Sequence, residues 1–185
     1  YFITSITNIT EKKQAEKALL ASEDRFRRIV ELSPIGKLLY QLNEKDELIL
    51  LQANPSADAI LGINHDLLVG KTIQQAFPGL TETDLPKLYR RIAKRELDTQ
   101  RFEIKYIAAP IEGYFEVTAF RIGENTVAVD FVDISQRKLS EQKLKESEER
   151  YRLLFENSPQ PMWIYNTETL AFLDVNEAAV SKYGF

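Results

Sequence analysis

Apolar and polar positions recur along this chain with two different periods, and the changes of period mark its elements. Within 10–32, Ala15, Leu19, Ser22, Phe26 and Ile29 fall at 4-3-4-3 spacing, a short heptad seam. Glu11, Lys12, Lys13, Glu16 and Lys17 charge the surface beside it. Asn8, with Glu11 three residues on, has the form of a capping box, so a helix is predicted over 10–32. After Ser33-Pro34 the period changes. Residues 37–41 and 48–53 read as two strands around the turn Asn43-Glu44-Lys45-Asp46. Asn54 as N-cap and Pro55 at the first helical position open a short helix, and Gly62 and Gly70 punctuate further turns up to Phe77-Pro78. Leu85, Leu88, Tyr89, Ile92 and Ala93 have helical spacing, with Thr83 or Asp84 as cap. Three alternating strands follow, carrying Phe102, Ile104 and Tyr106, then Phe115, Val117 and Ala119, then Val127, Val129 and Phe131. Glu112-Gly113 and Gly123-Glu124-Asn125 are the expected turns.

The order is helix, two strands, small helices, three strands, helix. It predicts an α+β domain: a five-stranded antiparallel sheet with short helices on one face, flanked by amphipathic helices of coiled-coil type. One sheet face is expected to line a cavity under the small helices. The other is expected to meet the first helix through Phe26, Ile29 and Val30.

An internal repeat sets the boundaries. Ile9, Lys13, Glu16, Leu19, Ser22, Glu23, Arg25, Arg27, Glu31, Ser33 and Pro34 recur as Ile134, Lys138, Glu141, Leu144, Ser147, Glu148, Arg150, Arg152, Glu156, Ser158 and Pro159. Ser140, Leu144, Ser147, Tyr151 and Leu154 copy the seam, and Asp133 with Gln136 copies the cap. Past a short gap the match resumes, with Asn54 on Asn176, Ala57 on Ala179 and Gly62 on Gly184. Backwards, 2–7 falls on 127–132. The expected organisation is therefore the last strand of an upstream unit over 1–9, a linker helix over 10–32 and a whole unit over 33–133. A second linker helix over 134–156 and the start of a downstream unit over 157–185 complete it.

Of 185 residues, 44% are hydrophobic and 28% charged, a globular balance. The formal net charge of −4 gives no reason to expect nucleic acid as a partner. There is no cysteine, which excludes disulfides, thiolate metal sites and cysteine nucleophiles and fits a reducing, cytoplasmic setting. No apolar run reaches the roughly 18–20 residues of a membrane span.

Several of these segments resemble the PAS domain family. Asp133-Ile134-Ser135-Gln136-Arg137-Lys138, with its variant Asn8-Ile9-Thr10-Glu11-Lys12-Lys13, resembles the D-I-T signature that ends PAS domains. Ser22-Glu23-Asp24-Arg25-Phe26-Arg27 followed by Ser33-Pro34 resembles the lead-in to the next domain. Ala53-Asn54-Pro55-Ser56-Ala57 resembles the N-x-A pattern, and Gly113-Tyr114-Phe115-Glu116-Val117 the aromatic penultimate strand. The resemblance covers essentially the whole chain. It implies a sensory or relay module of a multi-domain signalling protein from a bacterium or archaeon, most often a histidine kinase, next a diguanylate cyclase or phosphodiesterase. The Asp133 cap, repeated as Asn8 where strand gives way to helix, makes Asp133, Ile134 and Ser135 the expected point of signal relay.

A ligand cavity would draw on the apolar row, and Tyr40, Leu51, Ile60, Phe77, Leu88, Ile92, Phe102, Ile104, Tyr106, Phe115, Val117 and Val129 are the candidates. The expected occupant is a small apolar or mixed molecule. Gln52, Tyr106, Thr118 and Asp130 are the polar candidates, and strand phase points the last two outward. The dimer seam is expected at Ala15, Leu19, Ser22, Phe26, Leu144, Ser147 and Tyr151, in a parallel homodimer.

Cofactor chemistry finds little support. His65 is the only histidine. It lies in the 62–70 turns, whereas a haem ligand would face the cavity from the helix after Phe77, so an exposed turn residue is the plainer reading. A cysteinyl-flavin adduct is excluded for want of a cysteine. No Gly-rich phosphate loop, metal cluster, acid–base pair or catalytic triad stands out. Arg90, Arg91, Lys94 and Arg95 read as a solvated helix face with cations near its C-terminus. Catalysis is therefore not expected in this segment. Two readings stay open: a ligand-responsive sensor, and a fully packed relay that binds nothing and only dimerises.

Overall fold

The computed structural model describes residues 9–184. The strand expected over 2–7 and the Asn8 cap lie outside the described residues. The chain divides into two compact units, Tyr1–Ile134 and Ser135–Phe185.

In the first unit, α1 (Ile9–Glu31) leads into β1 (Gly36–Leu42) and β2 (Leu48–Ala53). Then come α2 (Pro55–Leu61), α3 (Ile73–Ala76) and α4 (Leu85–Ala93), with single 3-10 turns at His65–Leu67 and Pro78–Leu80 between them. Strands β3 (Gln100–Ala108), β4 (Ile111–Gly123) and β5 (Thr126–Asp133) close the unit. The sheet order is β2-β1-β5-β4-β3, antiparallel throughout. The last strand in sequence thus lies in the middle of the sheet, between β1 and β4.

Strict alternation along β4 and β5 buries Phe115, Val117, Ala119, Val127, Val129 and Phe131 on one face. The helices cover that face. Leu85, Tyr89 and Ile92 recur at four and three residues along α4 and are buried against the sheet. Thr83 serves α4 as a cap, its hydroxyl accepting from the Leu85 N–H at 3.3 Å. An ion pair from Lys94 to Asp46 at 2.6 Å ties the end of α4 to the β1–β2 turn, and Arg91 lies 3.5 Å from Glu96. A capping box opens α3: Thr72 and Gln75 exchange side chain for backbone.

Three sequence expectations are corrected. The inward residues of β2 are Leu48 and Leu50, while Leu51 is exposed. All four residues 48–51 are apolar, so periodicity cannot choose the phase. Pairing with β1, which carries a bulge between Leu39 and Tyr40, decides it. The β3–β4 turn is made by Ala109 and Pro110, whose peptide bond is cis, and Glu112 and Gly113 lie within the strand opposite Ile107 and Tyr106. Finally, Phe26 and Ile29 do not pack on the outer sheet face but stand exposed. The end of α1 is fastened by a bond from Asn54 to Val30 and, just beyond the helix, by one from Ser56 to Ser33.

The second unit contains α5 (Ser135–Glu156), the hairpin β6 (Trp163–Tyr165) and β7 (Phe172–Val175), and α6 (Glu177–Tyr183).

Candidate functional site

Between the sheet and its helical cover lies a cavity of about 60 Å³. Strands supply Leu38, Tyr40, Ile104, Tyr106, Ile111, Phe115, Val117, Val129 and Phe131; the connecting helices and turns supply Leu61, Phe77, Leu80, Leu85 and Tyr89. Every lining side chain is apolar except three phenols. Tyr40 and Tyr89 stack with ring centroids 6.2 Å apart. The Tyr106 hydroxyl accepts from the Gly79 N–H at 3.3 Å. A Cβ on residue 79 would sit 2.9 Å from the Tyr106 ring and 2.7 Å from the Ala108 Cβ, so this close approach requires glycine. Burial pushes the Tyr40 phenol well above its ordinary range, with Tyr89 and Tyr106 adding to the effect. Burial likewise raises Tyr89 and Tyr106, the latter partly offset by the Gly79 N–H. At neutral pH the cavity therefore presents neutral hydroxyls on a hydrocarbon wall and no charge.

Of the residues expected to form the cavity, Tyr40, Phe77, Ile104, Tyr106, Phe115, Val117 and Val129 line it. Leu51 points to the opposite face. Ile92 is fully buried in the contact of α4 with the sheet, and Ile60, Leu88 and Phe102 pack against the core outside the lining. Sequence reasoning left out Leu38, Leu61, Leu80, Leu85, Tyr89, Ile111 and Phe131. Leu85 and Tyr89 share one helical face and were recoverable from spacing. Leu61, Leu80 and Ile111 reach the cavity only through tertiary structure. Thr118 and Asp130 lie on the outer face, where Asp130 accepts a charge-assisted bond from Lys37.

A second construction joins the cavity wall to α1. The Asn54 side chain, 2% exposed, has every hydrogen-bonding position filled. Its Oδ1 accepts from Lys37 N at 2.8 Å and Ala57 N at 3.0 Å, and its Nδ2 donates to Val30 O at 3.0 Å and Ile35 O at 2.9 Å. One side chain thus fastens the last turn of α1 to the start of β1 and of α2. The Ser56 hydroxyl donates to Ser33 O beside it. Asn54 was expected only as an N-cap, a role it also fills.

At the far end of the sheet Asp133 closes β5 opposite Phe115, and Ile134 is buried, its N–H bonded to Tyr114 O at 2.8 Å. Ser135 begins α5. The seam residues Ala15, Leu19, Ser22 and Phe26 on α1, and Leu144, Ser147 and Tyr151 on α5, are all exposed. His65 is corrected from exposed to half-buried. Its Nδ1 lies 2.7 Å from Asp58 Oδ2, while its N–H bonds Asp58 Oδ1 at 2.9 Å. Among the described residues no cluster of carboxylates and histidines could hold a metal, and no helix is long and apolar enough to cross a membrane.

Comparison with known proteins places this architecture. A PAS domain family model matches residues 149–185. Sporulation kinase E of Bacillus subtilis (strain 168) is 26% identical over 148 residues, 79% of this chain and 19% of that protein. The two-component sensor PprA of Pseudomonas aeruginosa is 26% identical over 171 residues, 88% of this chain and 18% of that one. The chain thus spans less than a fifth of either relative. Among solved structures, an RNA-binding light-oxygen-voltage receptor superposes with a TM-score of 0.55 at 14% identity, over 74% of this chain and 39% of its own. A domain of a sensory box sensor histidine kinase/response regulator from Geobacter sulfurreducens gives 0.50 at 15% identity, over 62% and 96%. The first unit, with its five-stranded antiparallel sheet and helical cover, thus shares its fold with these solved structures, and residues 149–185 match the PAS domain model.

Proposed function

We propose that this chain is a sensory and relay module of a two-component sensor histidine kinase, answering to a small neutral molecule held in the cavity. Two relatives named as a kinase and a two-component sensor support the class of the parent protein. The observation that carries the sensory part is the cavity itself: hydrocarbon walls, three protonated phenols, and walls that include both Tyr40 on β1 and Val129 and Phe131 on β5. Strand β5 runs from the cavity to Asp133, Ile134 and Ser135, so a ligand that displaces it moves the point where strand becomes helix.

The volume limits the ligand. About 60 Å³ is far below the about 300–1,000 Å³ of sites that take drug-sized molecules, so a molecule of a few heavy atoms fits and a haem or flavin does not. The same small volume favours the second reading, a packed relay without ligand. Native mass spectrometry of the purified chain, repeated after denaturation and extraction, separates the two. A stoichiometric mass released on unfolding supports the sensor. A bare chain whose Tyr40, Tyr89 and Tyr106 resonances ignore a panel of small alcohols, ketones and amides leaves the relay.

In either reading the chain works as a parallel homodimer joined along the exposed stripes of α1 and α5. The effector domain belongs to the same full-length protein, which is a kinase in this proposal. In the full-length protein, Asp133→Ala is expected to uncouple output from input. Unchanged signalling by that variant would sink the role given to the β5 end.

A further inference from the structure

We propose that the exposed stripe of α5 receives a second copy of α5, parallel and in register, and that Lys143 and Glu148 set this register. The proposal rests on the dimeric relay above and adds what selects its geometry. Leu144, Tyr151 and Leu154 are exposed large apolar residues on α5. Alone, such a helix leaves its stripe in water, and a seam rich in Ser140 and Ser147 buries too little to choose between orientations. Charge must choose.

Arg137, Lys138, Glu141, Glu146, Arg152 and Glu156 are engaged within α5. Arg137 lies 3.8 Å from Glu141 and Lys138 3.9 Å from it, Gln142 donates to Glu146 at 2.8 Å, and Arg152 lies 3.8 Å from Glu156. Lys143, Lys145, Glu148, Glu149 and Arg150 have no such partner among the described residues, and of these Lys143, Glu148 and Arg150 stand next to the seam. Lys143 immediately precedes the seam residue Leu144, and Glu148 immediately follows Ser147. They therefore flank the stripe on opposite sides. In a parallel in-register pair, the residue before one seam position faces, across the seam, the residue five places on in the other helix. Lys143 then meets Glu148 of the second copy, and the two-fold axis repeats the pair. Both antiparallel alignments of the same stripe set like charges together: Arg150 against Lys143 or Arg150, and Glu148 against Glu141 or Glu148. In α1 the corresponding positions are Ala18 and Glu23, so that helix contributes apolar stripe but no such selection.

The chain has no cysteine, which makes a single-cysteine test clean. Ser140→Cys is expected to form a disulfide dimer on mild oxidation, because in-register pairing brings the two positions together. Antiparallel alignments part them by about 15 Å or more. In sedimentation equilibrium, Lys143→Glu and Glu148→Lys are each expected to weaken self-association roughly tenfold, since two attractive pairs become repulsive. An equimolar mixture of the two variants is expected to recover wild-type affinity as a heterodimer. Circular dichroism checks that these exposed substitutions leave the fold unchanged. If Leu144→Glu abolishes association while Lys143→Glu matches wild type, the seam stands and the register proposal falls. A wild-type chain that stays monomeric, with no Ser140→Cys cross-link up to about 1 mM, overturns both the register proposal and the dimer.

Discussion

The hairpin of the first unit and the hairpin of the second are built from the same local code and meet very different surroundings. In both, a buried asparagine ends the second strand and caps the next helix. Asn176 accepts from Met162 N at 2.9 Å and Ala179 N at 3.0 Å and donates to Phe155 O at 3.0 Å and Gln160 O at 2.9 Å, position for position the bonds of Asn54. The bulge between Leu39 and Tyr40 recurs between Ile164 and Tyr165. Burial does not follow. Tyr40 is 1% exposed and Tyr165 49%; Leu50 is 0% exposed and Phe172 63%. The difference lies in the neighbours. Strand β1 has β5 along its other edge and Tyr89 of α4 on its face, whereas β6 pairs only with β7 among the described residues. Hydrogen-bonded geometry is thus specified locally, and the apolar burial that stabilises it comes from strands and helices distant in sequence.

The sharpest way to break this contrast is to truncate the matched tyrosines. Tyr40→Ala removes a ring buried in the core and is expected to cost about 4 kcal/mol in the main unfolding transition. Tyr165→Ala, at a half-exposed position, is expected to leave that transition within about 0.5 kcal/mol of wild type. Thermal or urea unfolding followed by circular dichroism measures both. Equal losses would mean that the second hairpin is buried in solution. The asparagines come next. Asn54→Ala removes four side-chain hydrogen bonds from a buried junction, so a loss of about 3 kcal/mol is expected. Asn176→Ala removes the same bonds and should show itself in hydrogen exchange of β6 and α6, with the main transition unmoved.

Much of this was legible in the sequence where the signal is local. Asn54 before Pro55 reads as a cap, and the copy at Asn176 tells that its role is structural. The alternation along β4 and β5 gives the correct inward face. What stayed hidden depends on non-local choices. Leu48, Ile49, Leu50 and Leu51 are all apolar, and only pairing with the bulged β1 turns Leu51 outward. Gly113 draws attention as a turn residue, yet the turn falls at Ala109-Pro110, where proline has no N–H to give the ladder. Leu61, Leu80 and Ile111 line the cavity although their only signal in the sequence was being apolar. The stripe on α1 was correctly seen as amphipathic and wrongly assigned to the sheet, because periodicity tells that a face wants cover without telling what covers it.

The buried phenols give a pH test that only the first unit should register. Tyr40 and Tyr89 have folded-state values raised above the ordinary 10.0 by burial, so the folded chain holds those protons more tightly than the unfolded chain. Their contribution is therefore fully present below pH 10 and is lost as the pH rises beyond it. Denaturant midpoints should be flat in this respect through neutral pH and fall above pH 10. Ultraviolet titration of the same sample should leave the Tyr40 and Tyr89 phenols protonated above pH 10. A single titration step shared by all tyrosines would contradict the buried cluster.

The smallest effect expected is also the most selective. Gly62 ends α2 at φ 64° and Gly184 ends α6 at φ 73°, both in the left-handed region, with their N–H groups returned to the carbonyls of Asp58 and Val180. No neighbour lies within 4 Å of a Cβ at either site, so alanine there costs backbone strain and no clash. That isolates a backbone term of about 1 kcal/mol. Gly62→Ala should lower the main transition by that amount, because α2 carries Ala57 into the core and its end is fixed by the rest of the unit. Gly184→Ala meets the same strain at the end of a helix whose other face holds only Ala179 buried. Unfolding of the first unit should not sense it, and the change should appear as faster amide exchange in α6 alone. If both substitutions shift the main transition alike, the two units unfold as one, and the local code and the burial are coupled more closely than their exposures imply.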